Sequence, residues 1–265
     1  MADNSKNIFD LTGQIIILTG GAGFLGTQYA RALSKAGAQV VLWDSKAEFP
    51  ASDVAFTQQV DITNERQVGD ALAEVVKRWD KVDALINNAA MNPAVGSEES
   101  KKQFVPYENY PIELWEQELK INLTGMMICT KAVAPIMMAQ HKGVIINVAS
   151  EVSTIAHDHR VYNDPNNQKF KSIAYTTTKT AVLGFTRQWA ARLGRSNVRV
   201  NSFSLGGVQT EKMPADFVQR FGETNMLGRM AHSDEYNGIM IFLCSEASSF
   251  ITGANLTADG GKSAW

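Results

Sequence analysis

Short strand-like runs recur along this chain from end to end, and helical patterns fill most of the intervals between them. IIILT (15–19), QVVLW (39–43), AFTQQV (55–60), ALIN (84–87), GVIINV (143–148), VRVNSF (198–203) and NLTA (255–258) are brief, and most are rich in β-branched residues. Runs of that length and composition read as strands. Residues 24–36, 64–79, 112–140, 174–194 and 234–245 carry the period of a helix, and Val68, Leu72, Val75, Val76 and Trp79 share one side of the second. Gly37 stands where a helix stop is expected. Short apolar strands alternating with amphipathic helices predict parallel βαβ units, joined by right-handed crossovers. The pattern therefore predicts an α/β chain with a doubly wound parallel sheet of about seven strands and helices on both faces. No linker or repeat interrupts it, so the 265 residues are expected to form a single domain.

The first strand runs into TGGAGFLG (19–26), where Gly21, Gly23 and Gly26 fit G-x-G-x-x-G between a strand and a helix. Glycines let the backbone turn tightly and approach a pyrophosphate, and the helix behind them offers free N–H groups and a partial positive charge. Asp44 closes QVVLWD, 18 positions past Gly26. A carboxylate there accepts hydrogen bonds from the adenosine ribose and repels a 2′-phosphate, which favours NAD over NADP. Lys46, two residues on, keeps NADP as the lesser alternative. Together these features predict a Rossmann fold that binds a dinucleotide.

IAYTTTKTAV (173–182) puts Tyr175 and Lys179 four positions apart within a helical stretch. Such residues share one face, so a phenol and an ammonium point the same way. A phenol titrates near ~10 and is a poor base at neutral pH. A nearby cation favours the phenolate and brings the group towards acid–base work on an alcohol or carbonyl oxygen.

Charge is nearly balanced, at 25 Lys+Arg against 27 Asp+Glu, which leaves no global field for nucleic acid or an anionic membrane. The N-terminal stretch lacks the order of a signal peptide, and no unbroken apolar run reaches membrane-spanning length. Cys129 and Cys244 sit in apolar helical contexts and read as buried thiols of a reducing compartment. A cytoplasmic protein is expected.

The glycine turn and the Y-x-x-x-K pair, with VDIT (60–63), NNAA (87–90), KINLTG (120–125), INVAS (146–150), RVNSFSLGGVQT (199–210) and SSFITGANLTADGG (248–261), resemble the short-chain dehydrogenase/reductase family over nearly the whole chain. The resemblance implies a catalytic set of Tyr175, Lys179, Ser150 and Asn122. Ser150 would hydrogen-bond the substrate oxygen, Lys179 would also hold the nicotinamide ribose, and Asn122 would hold a water that links Lys179 to solvent. It implies cofactor contacts at Gly20, Gly21, Gly23, Phe24, Leu25, Gly26, Asp44, Asp61, Ile62, Asn88, Ala89, Ala90, Tyr175, Lys179, Gly206, Val208 and Thr210, with Asp61 at the adenine. It implies an NAD(H)-dependent oxidoreductase that interconverts a secondary alcohol and a ketone. The sequence departs from the family pattern in three places. Phe24 stands where compact members carry a glycine, giving the spacing of longer members. Leu205 replaces the usual proline before Gly206. Ser150 and Tyr175 are 25 positions apart, a wider gap than usual.

That gap holds HDHRVYNDPNNQKFK (157–171), a polar stretch in a substrate loop spanning 151–172. His157, His159, Arg160, Lys169 and Lys171, against Asp158 and Asp164, are candidates to grip a polar or anionic substrate such as a sugar, a sugar phosphate or a nucleotide-linked sugar; a solvated loop or a subunit contact is the alternative. Insertions of this style resemble members from bacterial surface-sugar pathways, flagellin glycosylation included. His157-x-His159 lacks a third ligand of suitable spacing, so no metal is expected. The resemblance implies a substrate lid over 204–232, with Met213, Phe217, Phe221, Met226 and Leu227 on its inner side. Residues 117–138 are apolar on more than one side, which suggests a homo-oligomer through helices 112–140 and 174–194. A nucleotide-sugar dehydratase or epimerase, or a non-catalytic dinucleotide sensor, are the other function classes. The Asn–Ser–Tyr–Lys set argues against the sensor.

Overall fold

The computed structural model describes residues 7–50, 54–93, 97–162 and 169–265. Its centre is a parallel sheet of seven strands: β1 (Ile15–Thr19), β2 (Gln39–Asp44), β3 (Phe56–Gln59), β4 (Ala84–Asn87), β5 (Gly143–Ser150), β6 (Val198–Leu205) and β7 (Asn255–Ala258). The order across the sheet is β3-β2-β1-β4-β5-β6-β7. The chain builds outward from β1 in one direction and then returns to build outward in the other. The crevice beyond the carboxyl ends of β1 and β4 is the switch point where such sheets bind ligands.

Alternate residues of each strand feed one of two cores. Ile15, Ile17, Val41, Trp43, Leu85, Ile145 and Val200 face α2 (Glu65–Trp79), α5 (Met126–Gln140) and α6 (Ile173–Leu193). Ile16, Leu18, Leu42, Ile86, Ile146 and Phe203 face α1 (Phe24–Lys35) and α8 (Asn237–Cys244). Every residue of β1 and of β5 is buried, as expected for strands covered on both faces. Both cysteines are free and lie in these cores.

Three local features differ from the expected pattern. β5 and β6 each run two residues further, to Ser150 and Leu205, because the two strands stay paired to their ends. The loop 91–111 contains α3 (Glu98–Gln103), a short polar helix whose cap is the Ser97 side chain. The helix predicted over 112–140 is α4 (Ile112–Leu119) and α5 joined by a π turn over Lys120–Gly125. Such turns locally widen a helix and cluster at functional sites. By length and composition alone, Ile112–Gln140 could cross a membrane. Here Cys129, Val133 and Met137 of that stretch are buried in the domain core. The lid region carries α7 (Ala215–Gly222).

Candidate active site

The glycine turn leaves β1 at Gly20, in the left-handed region at φ +66. A Cβ there would lie 2.8 Å from the Ala89 Cα, and one on Gly26 would lie 2.1 Å from the Gly20 oxygen. Steric need is thus greatest at Gly20 and Gly26, while Gly23 has more room. Gly23 caps α1 without any side-chain hydrogen bond, so the helix presents bare N–H groups at the crevice. Asp44 folds back on the turn: its Oδ2 accepts from the Ala22 amide at 3.0 Å and its Oδ1 from Lys46 at 3.0 Å. Asn88 ties β4 to β1 through Nδ2, which donates to the Thr19 and Gly20 carbonyls at 3.0 and 3.2 Å. The Asn88 and Ala89 amides both donate to Thr19 Oγ1. Ala90 continues that loop in the open, and Phe24 and Leu25 open α1, with Phe24 half exposed. Asp61 is exposed and accepts from Thr63, while Ile62 is buried where a Cβ on Gly125 would collide with it. Gly206, Val208 and Thr210 lie in the loop after β6, where Val208 pairs with Ala231. A bare helix N-terminus, a glycine cradle that a methyl group would fill and an acid at the ribose position fit a nicotinamide dinucleotide.

Tyr175 and Lys179 share the buried face of α6. The Lys179 Nζ lies 5.7 Å from the centre of the Tyr175 ring and donates to the Val148 carbonyl at 2.7 Å. Ser150, at the end of β5, stands close enough to the Tyr175 phenol to favour its ionised form. It also caps the following turn, with its amide donating to Ser153 Oγ at 3.2 Å. Asn122 sits in the π turn, but its side chain is engaged elsewhere. Its Oδ1 accepts from the Met91 amide at 2.7 Å, and its Nδ2 donates to Thr178 Oγ1 at 3.2 Å. A buried amide column holds the elements in register beneath: Asn87 donates to Asn147 at 2.8 Å, and Asn147 donates to Thr186 at 3.0 Å.

The electrostatics correct one expectation. Lys179 was expected to lower the phenol. Instead burial pushes Tyr175 up to about 12; Ser150 opposes this, and the Glu151 and Glu118 carboxylates add to it. Burial pushes Lys179 itself down to about 8. In a dry pocket the cost of any charge outweighs one cation beyond hydrogen-bond reach.

The substrate loop brings His157 but not Arg160 to the site. The His157 ring centre lies 6.3 Å from that of Tyr175, and burial, with Lys171 and other cations, pushes its imidazole down to about 3. His159 lies one ring further out, bonded to the Tyr107 hydroxyl at 2.8 Å. Arg160 faces solvent, its side chain 91% exposed and paired to Asp158 at 2.8 Å, because the short turn after Asp158 closes that pair locally. Residues 163–168 of the insertion lie outside the described residues. Over this wall, Val161, Phe217, Phe221 and Met230 form a small apolar cluster that joins α7 to the loop. The expected lid residue Leu227 is instead 68% exposed.

Three groups at the site carry no motif. Lys171 is buried, its Nζ 5.3 Å from the Tyr175 ring centre and bonded to Asn92 at 2.6 Å. Glu118 is buried in α4 and accepts from the Tyr110 and Ser172 hydroxyls; Ser172 in turn caps the Tyr175 amide at 3.1 Å. Glu151 and Lys262 form a buried ion pair at 2.8 Å beside Ser150. Lys171 was legible as one of the cations of the polar insertion, whereas Glu118, Glu151 and Lys262 carried no signal beyond position, Glu151 following Ser150 directly.

Comparison with known proteins follows the same outline. A family model described as Enoyl-(Acyl carrier protein) reductase matches residues 20–263. An "NAD-dependent glycerol dehydrogenase" of Listeria innocua is 30% identical, over 96% of this chain and 95% of its own. A gluconate 5-dehydrogenase from Burkholderia cenocepacia, solved with NADP and tartrate, superposes with a TM-score of 0.84 at 28% identity, covering 97% of this chain and 98% of its own. A short chain dehydrogenase from Leptospira borgpetersenii with bound NAD+ superposes with a TM-score of 0.83 at 25% identity, covering 96% and 94%.

Proposed function

The chain belongs to the short-chain dehydrogenase/reductase family, and on that premise we propose an NAD(H)-dependent oxidoreductase that interconverts a polar secondary alcohol and its ketone. The observation that carries this reading is the convergence of Ser150, Tyr175 and Lys179 at the carboxyl end of β5, beside the dinucleotide cradle. When bound, the dinucleotide supplies the hydride acceptor for oxidation and the donor for reduction.

This chain's own residues handle the proton and the geometry. Ser150 holds the substrate oxygen by a hydrogen bond. Tyr175 takes the hydroxyl proton in oxidation and returns it in reduction. Because burial holds the phenol near 12, the base form that oxidation needs grows as pH rises, while the acid form that reduction needs is already complete below that value, so reduction is flat in pH through this group. Lys179, whose ammonium donates to the Val148 carbonyl, would hold the cofactor ribose. The Asn122 side chain is committed to Met91 and Thr178, so a water leading from Lys179 would be held by main-chain atoms of the π turn. Asp44 places negative charge where an NADP phosphate would sit, which favours NAD. Residues 151–162 and 169–172, with the lid 204–232, would close the substrate side. The exposed Met127 and the half-buried Leu123, Leu183 and Phe185 offer an apolar face of α5 and α6 to another copy of the chain.

The test is a coupled pair of measurements: thermal stabilisation by NADH against NADPH, then absorbance at the nicotinamide band with a panel of polyols and sugars. NADH-selective stabilisation and net NADH formation from an alcohol are expected. Stabilisation without net NADH formation from any alcohol, or net reduction from any ketone, would count against the oxidoreductase.

A further inference from the structure

We infer that the pocket over Tyr175 is built to read a second hydroxyl group of its substrate, and that Glu151 is the side chain that reads it. The substrate class is then a polyhydroxylated secondary alcohol, and the inference rests on the oxidoreductase reading above.

Glu151 follows Ser150 directly, and the short turn Glu151–Ser153 sets its side chain against the wall of the site. The residue is 4% exposed. One carboxylate oxygen, Oε1, accepts from Lys262 at 2.8 Å. The other, Oε2, is buried and makes no hydrogen bond of ordinary geometry among the described residues, the nearby Gly207 amide only weakly favouring the charged carboxylate. A Cβ on Gly206 would come within 3.2 Å of it, so the glycine keeps that approach open. A buried carboxylate oxygen left unpaired is costly, and only a donor can satisfy it. A substrate hydroxyl is such a donor.

A second orphan stands nearby. His157 Nε2 is also buried without a partner among the described residues. The charge of Lys262 is felt at His157 as well as at Glu151, which makes the three neighbours. A neutral imidazole offers one donor and one acceptor and suits a hydroxyl in either role. Lys262 rests 3.8 Å from the centre of the Phe221 ring, which roofs the pair from the lid.

Charge decides against an anionic ligand as the main reading. Lys262 is neutralised by Glu151, Glu118 acts on Lys171, and the unpaired atom in the wall is itself a carboxylate oxygen. A plain mono-alcohol would leave both Oε2 and Nε2 unsatisfied, so the pocket discriminates by the partner it lacks.

Matched pairs test this: glycerol against propan-2-ol, and ribitol against pentan-2-ol, each with NAD and the intact protein. The wild type is expected to prefer the polyol in kcat/KM. Glu151→Gln should lower the polyol/mono-ol ratio by roughly 10²-fold, and His157→Phe by roughly tenfold. Glu151→Gln strands a buried lysine at a cost to the fold, so the double variant Glu151→Gln/Lys262→Met, which removes both charges, is measured beside it. A wild type that prefers the mono-ols, or a ratio unmoved in the folded variants, overturns the inference. An equal loss on both alcohols with weakened NADH binding also overturns it and assigns the carboxylate to the dinucleotide. NADH from no alcohol of either kind is the separate failure of the oxidoreductase reading.

Discussion

Around the dinucleotide turn, recognition is written in backbone: a left-handed Gly20, the bare amides of α1 and one acid at the end of β2. Across Tyr175, on the substrate side, it is written in buried side chains. Glu118 comes from α4, Glu151, His157 and Lys171 from the loop between β5 and α6, and Lys262 from the chain's end, and Glu118, Glu151, Lys171 and Lys262 are held by partners 54 or more residues away. Backbone recognition needs small residues at fixed local spacing. Side-chain recognition needs a fold to gather it. The first half therefore suits a cofactor shared by many enzymes, and the second is free to vary with the substrate.

The largest expected effect falls where the two halves meet. Tyr175→Phe keeps the ring but removes the proton, and should cut turnover by roughly 10²–10⁴-fold while NADH affinity stays within about threefold. Near wild-type turnover would dissolve the division between the halves. Gly26→Ala attacks the cofactor half alone. Its Cβ would meet the Gly20 oxygen at 2.1 Å, so the NADH dissociation constant, read by nicotinamide fluorescence, should rise by roughly 10²-fold. Asp44→Ala leaves the turn glycines intact and should shift the NAD/NADP preference in kcat/KM about tenfold towards NADP. An unchanged preference would remove Asp44 from cofactor choice.

The smallest effect probes the substrate half without any ligand. Burial pushes both Lys171 and Lys179 down to about 8 from 10.5. Between those values the unfolded chain holds protons that the folded chain has released, so stability rises with pH through that window. Tyr175, pushed up to about 12 from 10.0, reverses the sign above its unfolded value. The buried Cys129 and Cys244 thiols, pushed up from 9.0 to about 12, oppose the rise above about pH 9, so Lys171→Met should flatten about half of the rise between about pH 8 and about pH 9 in urea melts. A rise left untouched would mean that Lys171 is not held uncharged by its burial.

The two halves also differ in how much of them could be read before folding. The strand runs, the glycine turn, Asp44 and the Tyr175–Lys179 spacing are local, and a reader of the sequence meets each within a few residues. The π turn at Asn122 was hidden because 117–138 is apolar on more than one side, so the shift of register that a widened turn introduces leaves no mark on the pattern. Arg160 and His157 looked equivalent in sequence, three residues apart in one polar loop. Local pairing with Asp158 sent Arg160 to solvent, while packing under the lid held His157 beside Tyr175.

The sequence by itself determined the parallel α/β sheet, the cofactor class and the pairing of Tyr175 with Lys179 on one helix face. Each rests on a periodicity or a spacing that one helix or one turn can satisfy. Only the tertiary structure decided the state of that phenol and the company it keeps. Solvent exclusion depends on everything packed around a group, and so Tyr175 stands near 12 despite its lysine. By the same cause, Lys262 from the chain's end lies buried against Glu151 at its middle, a meeting across 111 residues that no local pattern encodes.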